Sequence, residues 1–366
     1  MSKSALLVGC GSIGKKHFQE MLPKFDHIMV VDISTEALAW AQSEAQNAAP
    51  AAAPAAGESA TGTAATISVA QTLDEAIAHV ETNGPFDTAT VANWGPDHVP
   101  TIRALQAVGQ KNFVVEKPLS DSIADARDIL AEVQRAGGKL FINLTRRYSG
   151  LPAGILAKAA EFNLGELQGV TVTGGARCIA TNGIHYLDLA TVLFGASPVS
   201  VTADLATQNI NPRHESLAFY EGSVNYNYPG GKRFSCVFLN QSAVTENVRF
   251  YWRNAEGEMQ PNGDFQLRLR NQSEIDTYPA VTRTGYAQDV AFSGNLWLTA
   301  DGRTGMTALY DIVSNLDAAQ GSAAETVGGR TAEDLLAALH ASELGQRLTL
   351  PVDETQVDIT KHWSIS

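Results

Sequence analysis

The chain has 366 residues, 44% hydrophobic and 18% charged, a globular composition long enough for two domains. With 26 Lys and Arg against 39 Asp and Glu, the formal charge of −13 argues against a nucleic-acid or anionic-membrane surface. Three scattered cysteines offer neither a disulfide framework nor a metal pair, and no stretch reaches the roughly 20 apolar residues of a membrane span, so a soluble cytoplasmic protein is expected.

The first third alternates strands and helices. Ser4–Val8, His27–Val31, Thr66–Val69, Asp87–Asn93, Phe113–Val115 and Lys139–Leu144 read as strands. Ile13–Leu22, Thr35–Gln46, Leu73–Val80, His98–Val108 and Ile123–Arg135 read as the helices between them. Ala45–Ala65, almost all Ala, Pro and Gly, reads as an inserted surface loop. Such alternation builds a parallel sheet with helices on both faces. Beyond Arg147 the texture changes. Pro152–Glu161 and Gly183–Phe194 are helical, and Leu167–Thr173, Ser216–Tyr228, Lys232–Leu239, Val248–Trp252 and Phe265–Leu269 are strands. Pro229-Gly230-Gly231 signals a hairpin. Helices at Thr304–Leu316 and Ala332–Leu344 close the chain. The fold class expected is α/β: a dinucleotide-binding domain over 1–147, then a domain over 148–366 with a large, mainly antiparallel sheet.

Gly9-Cys10-Gly11-Ser12-Ile13-Gly14 matches GxGxxG. It follows a strand, opens a helix and has Asp32 at the end of the next strand, the arrangement that seats a dinucleotide pyrophosphate on a helix N-terminus. Asp32 can accept hydrogen bonds from ribose hydroxyls and repel a 2′-phosphate, which favours NAD over NADP. Gly9, Gly11, Ser12, Ile13, Gly14 and Asp32 are thus candidate cofactor residues. Glu116-Lys117-Pro118 ends an apolar strand where ligands gather in open sheets. Lys117 either stabilises a developing alkoxide there, with Pro118 in a cis bond to aim it, or forms a surface pair with Glu116. His185 and Asp188 share a helix face with Asn182. His185 is either a proton acceptor oriented by Asp188 or a structural histidine behind an Asn182 cap. Gly183 leaves room for a ligand to approach. No His, Cys or acid cluster has metal-ligand spacing, so no metal is expected.

Taken in order, these pieces resemble the Gfo/Idh/MocA oxidoreductases. Gly9-x-Gly11-x-x-Gly14-x-x-His17, His98, Glu116-Lys117-Pro118, Asn143-x-x-x-Arg147-Tyr148, Gly165-Glu166-Leu167 and Gly183-x-His185-x-x-Asp188 carry the resemblance. It implies a Rossmann domain and an open-faced sheet that pairs subunits into homodimers or homotetramers. It also implies a nicotinamide cofactor and a sugar, polyol or nucleotide-sugar substrate. By resemblance Lys117 and His185 are catalytic, and Trp94, His98, Glu116 and Lys117 line the nicotinamide pocket. Many members carry an Asp four residues before the histidine. Here Thr181 stands there, followed by Asn182, leaving room for a specialised sugar. Arg147, Tyr148, Thr181, Asn182 and Asp188 are the candidate substrate residues, with Arg146 and Arg177 as further candidates for an anionic group. The arginines alternating at 249 and 253 and at 268 and 270 either clamp a pyrophosphate or face solvent or a subunit. Two alternatives stand beside a net dehydrogenase: a closed NAD redox cycle for elimination or epimerisation, and a non-catalytic NAD-binding regulatory or scaffold protein.

Overall fold

A computed structural model describes residues 2–48, 65–208, 217–270, 287–316 and 328–365. Most of the expected 45–65 loop therefore lies outside the described residues. The chain forms two compact units, one from the described residues of Met1–Asn143 and Met306–Gly329, the other from those of Leu144–Gly305 and Arg330–Ile365.

The first unit holds strands β1 (Ser4–Val8), β2 (His27–Val31), β3 (Thr66–Ala70), β4 (Thr88–Val91), β5 (Phe113–Val115) and β6 (Leu140–Ile142). Helices α1 (Ser12–Met21), α2 (Thr35–Ala48), α3 (Leu73–Asn83), α4 (His98–Ala107) and α5 (Ile123–Arg135) connect them. All strand pairs are parallel, in the order β3-β2-β1-β4-β5-β6. Leu6, Leu7, Val30, Val91, Val114 and Ile142 are fully buried, as a sheet covered on both faces demands. Thr72 and Ser122 start α3 and α5 by accepting hydrogen bonds from the amides of Glu75 and Asp125. On α5 the buried Ile123, Ala126, Ile129 and Val133 recur at helical spacing.

The register positions the chemistry. Val8 pairs with Val31 and Val91, Val91 with Val115, and Val115 with Ile142. The next residue on each strand, Gly9, Asp32, Ala92, Glu116 and Asn143, therefore lies along one carboxyl edge.

The second unit opens with α6 (Thr145–Tyr148) and α7 (Gly150–Glu161), followed by β7 (Gly169–Gly174) and α8 (Ile184–Phe194). Strands β8 (Ser200–Gln208), β9 (Phe219–Asn227), β10 (Arg233–Phe238), β11 (Asn247–Tyr251), β12 (Ala255–Met259), β13 (Asp264–Arg270) and β14 (Ala287–Asn295) come next. After α9 (Gly305–Val313) and α10 (Gly329–Leu344), β15 (Leu348–Thr349) completes a nine-stranded sheet. Its order is β14-β13-β12-β11-β7-β10-β9-β8-β15, antiparallel throughout except for the β7–β10 pair. The chain is thus α/β, a parallel Rossmann sheet plus a mixed, mostly antiparallel one. Pro229–Gly231 makes the β9–β10 turn, with Gly230 and Gly231 both at positive φ. From Met306 onward α9 returns to the first unit, where the Tyr310 hydroxyl meets Thr90 on β4. No helix among the described residues is long and apolar enough to cross a membrane.

Candidate active site

The three glycines of the first turn have different surroundings. A Cβ on Gly9, which sits at φ +92°, would lie 2.6 Å from the backbone of Ala92 and Asn93. One on Gly14 would lie 2.0 Å from the Gly9 carbonyl oxygen. Both are close approaches of the chain to itself. A Cβ on Gly11 would meet nothing within 4 Å. Gly11 precedes the first turn of α1, where Ser12 and Ile13 contribute amides without intrahelical partners. Asp32 accepts hydrogen bonds from the Cys10 amide (2.6 Å) and the Ser34 amide (2.8 Å), which fix its carboxylate beside this turn. A cleft of about 870 Å³ borders Gly9, Gly11, Asp32, Thr72, Asn93 and Trp94. Its size is ordinary for a small-molecule site. An open glycine, free helix amides and an anchored acid beside one cleft suit a dinucleotide, so the residues present fit NAD.

Farther along the same edge lies a buried polar chain. The Tyr310 hydroxyl is 2.9 Å from Thr90 Oγ1 and 2.8 Å from His17 Nδ1. His17 Nε2 is 2.9 Å from Glu116 Oε1, which also accepts from Asn143 Nδ2 at 2.5 Å. Burial raises the Glu116 pKa, but the hydrogen bond and charge of His17, Lys117 and Asn143 outweigh it and bring it down to about 2. An ionised Glu116 needs donors, so His17 donates from Nε2. The next residue, half-buried Lys117, has its amide 3.2 Å from Glu116 Oε2, and the Lys117–Pro118 peptide is cis. His98 is buried between two carbonyls, Nδ1 at 2.9 Å from Pro118 and Nε2 at 3.2 Å from Asn93. Burial lowers its pKa against the pull of those carbonyls and of Glu116. Trp94 is 45% exposed and lines the cleft.

In the second unit a single π-turn, Ile179–Gly183, leads into α8. Such turns recur at functional sites. Thr181, Asn182 and His185 are half-buried, and Thr181 Oγ1 lies 3.2 Å from Asn182 Oδ1. Two sequence expectations change here. Asn182 is not the cap: Gly183 precedes α8, with no side-chain capping bond. Gly183 offers no opening either, because it is buried against Ile179 and Cys236. Asp188 is fully buried and accepts from Arg147 Nε and Thr331 Oγ1, both at 3.0 Å. Burial pushes the Asp188 pKa up against the pull of Arg147 and Thr331. The same desolvation keeps the Tyr148 phenol well above its ordinary range.

Two of the outer arginines meet neighbouring polar side chains. Arg249 lies 3.8 Å from Glu258, and Arg268 donates to Gln266 in a hollow that also holds Asp264. Glu246 and Tyr310 escaped sequence reasoning. Tyr310 is 293 residues from its partner His17, a separation without local signature.

Residues 3–144 match the model of an oxidoreductase family with an NAD-binding Rossmann fold. No curated protein matches the sequence. Among the solved structures that share the fold, three serve for comparison. The WlbA dehydrogenase of Bordetella pertussis, solved with NADH and UDP-GlcNAcA, is 18% identical, with TM-score 0.64 over 96% of this chain and 100% of that one. UDP-N-acetylglucosamine 3-dehydrogenase GnnA of Acidithiobacillus ferrooxidans is 16% identical, with TM-score 0.62 over 94% and 97%. An oxidoreductase of Agrobacterium radiobacter, solved with NAD+, L-tartaric acid and magnesium, is 14% identical, with TM-score 0.65 over 95% and 98%.

Proposed function

Because the chain belongs, through residues 3–144, to the Gfo/Idh/MocA oxidoreductases, we propose that it is an NAD-dependent dehydrogenase acting on a secondary alcohol of a sugar, polyol or nucleotide-sugar. The observation that carries this reading is the carboxyl edge on which the Gly9 turn, Asp32 and the Glu116-Lys117 pair lie in register. Residues 1–147 hold the cofactor and 148–366 the substrate. A nucleotide-sugar is favoured among the substrates because WlbA was solved with one and GnnA is named for another.

The chain's residues divide the work. The amides of Ser12 and Ile13 and the open face of Gly11 receive the pyrophosphate, and Asp32 accepts from the ribose hydroxyls. When bound, NAD supplies the hydride acceptor. Trp94 and His98 shape the nicotinamide end, and Glu116, kept anionic, holds the Lys117 backbone. His185 takes the hydroxyl proton at an imidazole nitrogen, while the Lys117 ammonium donates to the oxygen as charge develops. Thr181, Asn182, Tyr148 and Arg147 contact the sugar or position its contacts.

The experiment compares Lys117→Ala, His185→Asn and the double variant, each saturated with NAD. Each single change lowers kcat by about 10²–10⁴-fold, the range of general acid–base help. Groups acting on one step give a double variant little worse than either single one. Fully multiplicative losses, or an unimpaired Lys117→Ala, would sink the joint role.

A further inference from the structure

The second unit gathers three guanidinium groups but only two carboxylates to match them. Arg147 pairs with fully buried Asp188. Arg177 Nε lies 3.1 Å from Glu246, a 4% exposed carboxylate that also accepts from the Tyr186 hydroxyl and Thr245 Oγ1, both at 3.0 Å. Arg146 is different. Its guanidinium carbon stacks 4.2 Å from the centre of the Tyr186 ring. Among the described residues no carboxylate lies within ion-pair range of it. Its Nε is buried without a hydrogen-bond partner, and so is the Tyr148 hydroxyl two residues on.

Leaving the buried Nε of a half-buried guanidinium without a partner is costly. This excess of positive charge stands out in a chain whose formal charge is −13. A guanidinium held over the Tyr186 ring keeps N–H donors suited to a planar or tetrahedral oxyanion. Tyr186, the ring under Arg146, directly follows the proposed base His185 on α8.

We infer that Arg146 recognises an anionic group on the substrate, a carboxylate or a phosphate, and so selects an acidic or phosphate-bearing sugar over a neutral polyol. The inference rests on the dehydrogenase reading for the identity of the site. The Arg147–Asp188 and Arg177–Glu246 pairs, already neutralised, hold the surrounding backbone.

The test is calorimetric titration of the NAD-loaded protein with glucose, glucuronate, UDP-glucose and UDP-glucuronate. At least one anionic probe should bind about tenfold or more tightly than glucose, and Arg146→Gln should erase that gain, as loss of a charge-assisted hydrogen bond does. Arg146→Lys should keep part of it. A gain confined to glucuronate and its UDP derivative identifies a carboxylate; one shared by both UDP-sugars identifies the diphosphate. Melting temperature and NAD affinity establish that each variant is folded. The inference is overturned if Arg146→Gln binds the anionic probes like the wild type, or if none of them outbinds glucose. Turnover, followed separately, isolates the underlying reading. Arg146-dependent binding without NAD reduction refutes the dehydrogenase and leaves the anion site. Reduction of NAD by a neutral sugar, unaffected by Arg146→Gln, does the reverse.

Discussion

Substituting the glycines of the first turn one at a time separates a loop that merely turns the chain from one that receives a ligand. At Gly14 a Cβ would sit 2.0 Å from the Gly9 carbonyl oxygen, about 1 Å inside the closest approach such atoms tolerate. Backbone must move, and Gly14→Ala should cost about 1–3 kcal/mol, the usual scale of overpacking. At Gly11 a Cβ meets nothing, and the backbone (φ −71°, ψ −162°) suits alanine. Alanine caps a helix worse than glycine but loses less chain entropy on folding, so these terms nearly offset within about 1 kcal/mol. The new methyl instead occupies the space a pyrophosphate would enter. Gly11→Ala should therefore melt within a few degrees of the wild type without NAD, yet lose most of the NAD-induced rise in Tm. That rise reflects about 2.7 kcal/mol when NAD stands at about a hundred times Kd. Thermal melts with and without NAD, together with calorimetric Kd values, read both quantities. Wild-type NAD affinity in Gly11→Ala would refute the assignment of this turn to the cofactor.

Other predictions follow from the same geometry. Asp32 should make NAD bind more tightly than NADP, and Asp32→Ala should weaken NAD by about tenfold while narrowing that preference; equal wild-type Kd values for the two cofactors would contradict it. Glu116, with its pKa lowered from 4.5 to about 2, contributes roughly 3 kcal/mol that is fully present above pH 4.5 and lost as pH falls towards 2. Urea melts across that window should show the wild type losing stability relative to Glu116→Gln, and parallel curves would count against an ionised Glu116. Arg147→Gln leaves the buried Asp188 carboxylate without its counter-ion and should cost about 3–5 kcal/mol, read as a lower denaturation midpoint.

Legibility in the sequence followed the range of the forces involved. Four strands of the parallel sheet, β1, β2, β5 and β6, stood out as mainly apolar runs covered on both faces, and β1, β2 and β5 have the ends the sequence implies; the edge strand β3 buries only Ala70. The glycine turn was legible for the same local reason. In the second unit β12 was invisible: Ala255–Met259 holds a glycine and two glutamates, and pairing with β11 and β13 makes it a strand. Strands β8, β14 and β15 likewise depend on distant partners. The candidate site divides in the same way. Lys117 and His185 could be named from their strand end and helix, whereas the Tyr310–His17–Glu116 chain joins three distant segments. Arg147 and Arg177 read as candidates for binding the substrate or its anionic group, and only the fold reveals their buried partners, Asp188 and Glu246.

The most direct measurement follows nicotinamide absorbance while the NAD-saturated protein meets a panel of polyols, aldoses, uronates and nucleotide-sugars. The account predicts accumulation of NADH with at least one sugar, lost in Lys117→Ala although that variant still binds NAD. Absence of NADH with every sugar, despite saturating bound NAD, would contradict a net dehydrogenase.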